Sequence, residues 1–264
     1  MPGNVRRPAE EAVRRALGVY LIMGSPNCPP GTDPAELLAD AIDGGVTCFQ
    51  YREKGPGALA GDAMLALGKR LQALCRARGV PFIVNDDAGL AAVLGADGIH
   101  VGQDDEPAAS IRARLGPGAI VGVSAHTADE ARRALADGAD YLGIGPVFPT
   151  GSKPDAKAPQ GTRLLEELRA AGIAAPLVGI GGITPANAAS VLAAGADGVS
   201  VISAIALAPS PAEAARRLAE AAARGSGGQR ESPGPLSPPQ RLLPLGERDG
   251  GGEGGAGGGG GGGG

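Results

Sequence analysis

The sequence has no tryptophan, three tyrosines, three phenylalanines and two histidines in 264 residues. An aromatic content of 2% offers no stacking platform for bases, and a formal net charge of −4 offers no basic face, so nucleic acid is not an expected partner. Two histidines are too few for a histidine-rich zinc site. The three cysteines, Cys28, Cys48 and Cys75, form no CxxC pair, and an odd number is a poor disulfide framework. Reduced thiols and a cytoplasmic location are expected. The first 25 residues mix acids with arginines and contain no long apolar run, which fits neither a secretory signal nor a membrane span. Membrane is therefore not expected as a partner either, and oligomeric state is left open, with room for a homo-oligomer.

Glycine is abundant, and much of it lies at the end. From about Arg224 the chain is dense in Gly, Pro and Ser and poor in apolar residues, so it cannot bury enough surface to offset its ordering entropy. The expected organisation is an N-terminal segment (1–15), one folded domain (16–223) and a disordered tail (224–264).

Within the domain the chain repeats a short phrase: "DGGVTCFQ" at 43, "GADGIHVG" at 95, "GADYLGIG" at 138 and "GADGVSVI" at 195. Glycine just past a helix, followed by a short β-branched run, marks a helix-to-strand junction. Filling the gaps predicts strands near 18–23, 45–51, 81–85, 97–101, 119–124, 140–144, 176–180 and 197–202, each followed by a segment with helical apolar spacing. Asp33, Thr127 and Thr184 suit N-cap positions, and Pro34 and Pro185 suit first helical residues. Eight β/α units in about 210 residues predict a closed α/β TIM (β/α)8 barrel. The rival, an open doubly wound sheet, should carry an early glycine-rich dinucleotide fingerprint, and none follows the first strand.

In such a barrel the active site lies at the C-terminal strand ends. Strand 2 ends in "CFQYREK", where alternation puts Gln50, Arg52 and Lys54 on one face. Burying unpaired cations is costly, so an anion must meet them. Strands 3 and 4 end in Asn85, Asp86 and Asp87 and in Gln103, Asp104 and Asp105. Asp86 and Asp105, from neighbouring strand ends, suit a shared Mg2+, which takes a few carboxylates and completes its shell with water and phosphates. Strand 5 ends at Ser124, and strand 6 runs into Thr150, Ser152 and Lys153. The loops "GIGGIT" and "VISAI" after strands 7 and 8 suit a second phosphate, with Gly181 and Gly182 permitting close backbone approach. A diphosphate and a monophosphate imply two small-molecule substrates. His100 and His126 are assigned structural or orienting roles.

In this order, "FQYREK", "VNDD", "GIHVGQDD", "GVSAHT", "GPVFPTGSK", "GIGGIT" and "VSVISAI" resemble thiamine-phosphate synthase, from about Val19 to Ala206. The resemblance implies a transferase that joins 4-amino-2-methyl-5-hydroxymethylpyrimidine diphosphate to 4-methyl-5-(2-hydroxyethyl)thiazole phosphate, with release of diphosphate. It further implies that Gln50, Arg52, Lys54 and Asn85 hold the pyrimidine diphosphate, that Asp86 and Asp105 bind magnesium, and that Ser124 lies by the reacting pyrimidine. Lys153 would grip the diphosphate, Thr150 and Ser152 would contact the thiazole phosphate, and Gly182, Ile202 and Ser203 would complete that pocket. The catalytic set so implied is Arg52, Lys54, Ser124 and Lys153. A related thiazole-phosphate isomerase or a non-catalytic phosphate-binding barrel is the alternative.

Overall fold

Eight parallel strands alternate with helices where the repeats predict them. The computed structural model describes residues 7–152 and 157–225. The strands are β1 (Val19–Met23), β2 (Cys48–Tyr51), β3 (Phe82–Asn85), β4 (Gly98–Val101), β5 (Ile120–Ala125), β6 (Tyr141–Ile144), β7 (Leu177–Ile180) and β8 (Gly198–Val201). Each pairs with the next, and β8 returns to β1 to close the barrel. The helices are α1 (Glu10–Ala16), α2 (Pro34–Asp43), α3 (Gly61–Arg78), α4 (Ala88–Leu94), α5 (Ala108–Leu115), α6 (Ala128–Ala136), α7 (Arg163–Ala170), α8 (Ala188–Ala193), α9 (Ser203–Ala206) and α10 (Pro211–Gly225). No helix among the described residues is long and apolar enough to cross a membrane. The segment expected to be a disordered tail lies outside the described residues from 226 onward, while α10 carries through Arg224 to Gly225.

The repeated phrases have a mechanical meaning at the N-terminal face of the barrel. Thr47, Asp97, Asp140 and Asp197 each stand one residue ahead of an even-numbered strand. Their side chains accept from the backbone N–H of Val19, Phe82, Val121 and Leu177, at the starts of the odd-numbered strands, at 2.8 to 2.9 Å. Each side chain ties one strand to its neighbour and satisfies an amide that the ladder leaves open at the sheet's end. Arg112 serves Asp140, and Arg14 and Arg169 serve Asp197, so two of the three carboxylates are fully paired.

The barrel interior is filled by Tyr20, Cys48, Ile83, Tyr141 and Val178, and Val13 and Leu17, in α1 and at its C-terminal cap, plug it from below. A plugging helix within the N-terminal segment was not expected from the sequence. The larger apolar layer lies between strands and helices. Tyr141 fits because Gly122 on the adjacent strand has no side chain: a Cβ there would collide with the phenol ring.

Asp33 and Thr127 cap α2 and α6 as expected, accepting from Ala35 N and Glu130 N. Thr184 does not cap α8. The chain makes a turn at 185–187 and the helix begins at Ala188, because the Asn187 side chain folds back onto Thr184 N at 2.8 Å and ends the preceding loop itself.

Candidate active site

The C-terminal strand ends surround a cavity of about 610 Å3. Arg52, Lys54, Asn85, Asp86, Asp105, Ser124, Thr150, Ser152, Gly182, Ile202 and Ser203 all line it, so most of the site residues expected from the sequence meet in one place. Lys153 lies outside the described residues. Lys157, four residues on and not singled out from the sequence, lines the cavity and faces Glu130 loosely at 3.9 Å.

Arg52 follows directly on β2 and is only 7% exposed, yet among the described residues its guanidinium has no carboxylate within ion-pair distance. A cation so placed is costly without an anion. Its backbone is held firmly: Arg52 N donates to Met23 O at 3.0 Å. The next residue, Glu53, points to the other side of the chain and accepts from Ser25 N (2.6 Å), Ser25 Oγ (2.9 Å) and Leu59 N (3.0 Å). Glu53 thereby latches the loops after β1 and β2 together on either side of Arg52. Sequence reasoning passed over it, although strand alternation already set it apart from Gln50, Arg52 and Lys54.

Lys54 makes an ion pair with Asp86. Burial pushes the Asp86 carboxyl above its ordinary pKa, and the neighbouring Asp105 carboxylate pushes the same way against the pull of Lys54. Asp86 sits at φ 59°, the left-handed region that few residues other than glycine adopt, and its N–H is tied to His100 O at 2.9 Å. Its neighbour Asp87 turns the other way and caps α4 through Leu90 N. Of the two aspartates in "VNDD", one therefore builds a helix and the other faces the cavity. Asp105 Oδ2 accepts from Gly102 N at 2.7 Å. Among the described residues no three or more His, Cys, Asp or Glu side chains are grouped so that they could hold a metal ion by themselves. Two mutually repelling carboxylates on the cavity wall, one of them paired with Lys54, are a donor set that fits a hard divalent cation needing only part of its shell from protein.

On the opposite wall, Gly181 and Gly182 both have positive φ and lie against the loop after β6; a Cβ on Gly181 would strike Pro146. Ser152 Oγ and Ser203 Oγ are 3.3 Å apart, joining the β6 and β8 loops over one pocket.

Gln50 differs from the other site residues predicted from the sequence. It points inward as alternation required, but it is fully buried and lies beneath the cavity rather than on its surface. Its Nε2 donates to the Tyr20 hydroxyl at 2.8 Å, and among the described residues its Oε1 has no partner. Tyr20 OH is 2.9 Å from Tyr141 OH, which is 2.9 Å from His100 Nδ1, and His100 Nε2 is 2.9 Å from Ser124 Oγ. His100, read from the sequence as structural or orienting, thus stands between the buried tyrosines and Ser124, and Tyr20 and Tyr141, which sequence reasoning did not single out, connect to the cavity through it. His126 Nδ1 lies 2.6 Å from Gly145 O and takes a loop-fixing part.

The chain is similar to known proteins over most of its length. Residues 19–205 match the family model described as thiamine monophosphate synthase. The thiamine-phosphate synthase of Geobacillus kaustophilus is 59% identical over 215 residues, 81% of this chain and 96% of that protein. That of Bacillus cereus strain 03BB102 is 56% identical over 218 residues, 83% and 98% of the two chains. A solved structure, thiamine phosphate pyrophosphorylase from Pyrococcus furiosus, superposes with a TM-score of 0.71 at 33% identity, covering 81% of this chain and 98% of that one. None of these relatives is named as a thiazole-phosphate isomerase or a non-catalytic binding barrel, and that alternative is not favoured. A closed barrel whose strand ends gather this set of cations, carboxylates and hydroxyls, matched over nearly its whole length by these relatives, belongs to the thiamine monophosphate synthase family.

Proposed function

We propose that the chain joins the pyrimidine diphosphate to the thiazole phosphate as a transferase, with Arg52, Lys54 and Lys153 gripping the diphosphate. The observation that carries this reading is the buried Arg52 guanidinium, without a carboxylate partner among the described residues, on the wall of the cavity that Lys54, Asp86 and Asp105 also line. Asp86 and Asp105 would hold magnesium, which when bound would neutralise negative charge on the diphosphate. Binding there would release Lys54 from Asp86 for the anion.

The reaction balances without a protein nucleophile. The bond from the pyrimidine methylene carbon to the diphosphate oxygen breaks, its electron pair leaves with diphosphate, and the ring amino group donates electron density to the cationic carbon. The thiazole nitrogen then supplies its lone pair to form the new C–N bond, giving the thiazolium without proton transfer. The chain's residues do electrostatic work on charge that grows on the leaving group. Asn85 and Ser124 flank the pyrimidine, while Thr150, Ser152, Gly182, Ile202 and Ser203 form the thiazole phosphate pocket. Gln50, beneath the floor, acts on the pyrimidine through its neighbours. A cytoplasmic setting suits three free thiols.

Arg52→Met tests the reading. Loss of one preorganised cation is expected to lower kcat by about 10² to 10³, with the fold retained. Wild-type turnover in this variant would refute the assignment of the diphosphate to Arg52.

A further inference from the structure

The hydrogen bonds beneath the cavity form a single chain, Gln50, Tyr20, Tyr141, His100, Ser124, whose direction can be worked out from what each group is able to donate. A carboxamide nitrogen only donates, so Tyr20 oxygen accepts from Gln50 Nε2. The one Tyr20 hydrogen then goes to Tyr141 oxygen, and the one Tyr141 hydrogen to His100 Nδ1. A neutral imidazole that accepts at Nδ1 carries its hydrogen on Nε2 and donates it to Ser124 Oγ. The Ser124 hydrogen is left over. Among the described residues Ser124 Oγ has no other partner, and Ser124 lines the cavity.

We propose that this buried chain fixes the polarity of Ser124, making it a hydrogen-bond donor to a ring nitrogen of the pyrimidine rather than an acceptor from the exocyclic amino group. This deepens the preceding reading and rests on its placement of the pyrimidine beside Ser124. An aminopyrimidine offers both kinds of edge, so the polarity of one hydroxyl decides which edge faces it. Were the chain reversed, Ser124 would spend its hydrogen on His100 and present only lone pairs. Tyr20, Tyr141 and Gln50 are at most 1% exposed, so water cannot re-pair them. Burial holds both phenols far above their ordinary pKa and therefore neutral, which keeps one hydrogen on each. Tyr20, Tyr141, His100 and Gln50 are thus positioning residues acting through Ser124.

The test is nitrogen-15 NMR of the histidine rings in the full chain at pH 7 to 8, which two histidines make simple to assign with His126→Gln as reference. The expected His100 signature is a bare Nδ1 and a protonated Nε2, with the Nε2 signal moving when the pyrimidine diphosphate is added. A ring protonated at Nδ1, or at both nitrogens, overturns the proposal. The phosphorus signals of the same sample separate the two levels of the argument. If they report binding while His100 does not respond, the Ser124 contact is wrong and the diphosphate grip stands. If they report no binding, the underlying placement falls and the contact with it. In Tyr141→Phe the donor to Nδ1 is lost, and the ring is expected to populate both tautomers while kcat/KM falls about tenfold. An analogue with C–H in place of that ring nitrogen should lose about tenfold on wild type and nothing further on Ser124→Ala. A single Nε2–H tautomer persisting in Tyr141→Phe would contradict the relay.

Discussion

Gly24→Ala should damage catalysis from a residue that never touches substrate. Gly24 follows β1 and crosses directly beneath the Arg52 peptide, where a Cβ would lie 2.8 Å from Arg52 C and 3.0 Å from Glu53 Oε1, and closer still to Arg52 O. Its backbone, at φ −136° and ψ −175°, suits alanine, so the whole effect is steric. Carbon atoms pack at about 3.5 to 4.0 Å, which requires the crossing to open by roughly 1 Å. Nothing at the crossing yields easily: Met23 O holds Arg52 N on one side, and the Glu53 carboxylate grips Ser25 and Leu59 on the other. Overpacking of this kind costs about 1 to 3 kcal/mol, or a fall in Tm of roughly 2 to 4 °C per kcal/mol for a domain of this size. A displacement near 1 Å of a group that must meet the leaving diphosphate costs on the order of 10²-fold in rate. Steady-state kinetics well below Tm, beside a thermal melt, read both effects. A variant that loses stability but keeps wild-type kcat/KM would show that the crossing does not position Arg52, and unchanged values of both would refute the steric argument itself.

The N-terminal face should answer in stability alone. Asp197 accepts from Leu177 N, Arg14 and Arg169 with its side chain almost wholly buried, so Asp197→Ala should cost about 3 to 5 kcal/mol, read as a lowered denaturation midpoint with kcat little changed at low temperature. Cys28 should be a slow thiol: burial, helped by the charges of Glu53 and Asp33, raises its pKa to about 11. At pH 8 its alkylation should run about two orders of magnitude slower than that of a free cysteine and quicken as pH rises toward 11, because only the thiolate reacts. Equal rates would show that the loop after β1 does not cover it.

The strands were legible because a purely local device marks them. Each "GAD" phrase combines a helix-ending glycine with the aspartate that ties two strands together, and "DGGVT" does the same with Thr47. The site was legible for residues beyond the strand ends, where polarity in a β/α loop is itself the signal, as with Arg52, Lys54, Asp86 and Asp105. What lay beneath it was not. Tyr20, Tyr141 and His100 sit on three different strands, and their contact depends on barrel closure and on the space that Gly122 leaves, neither of which alternation in one strand reveals. Gln50 was read correctly as inward, but its depth below Arg52 required the register between β1 and β2. Thr184 looked like a cap because the competing side chain, Asn187, lies three residues away and only the fold shows it turning back.

The most direct measurement is turnover of the full chain with both substrates, following thiamine phosphate and diphosphate together, with magnesium and again after chelation. The account predicts the two products in equal amounts and their loss when the metal is withdrawn. Product formed equally well without a divalent cation, or diphosphate released with no thiamine phosphate, would contradict it.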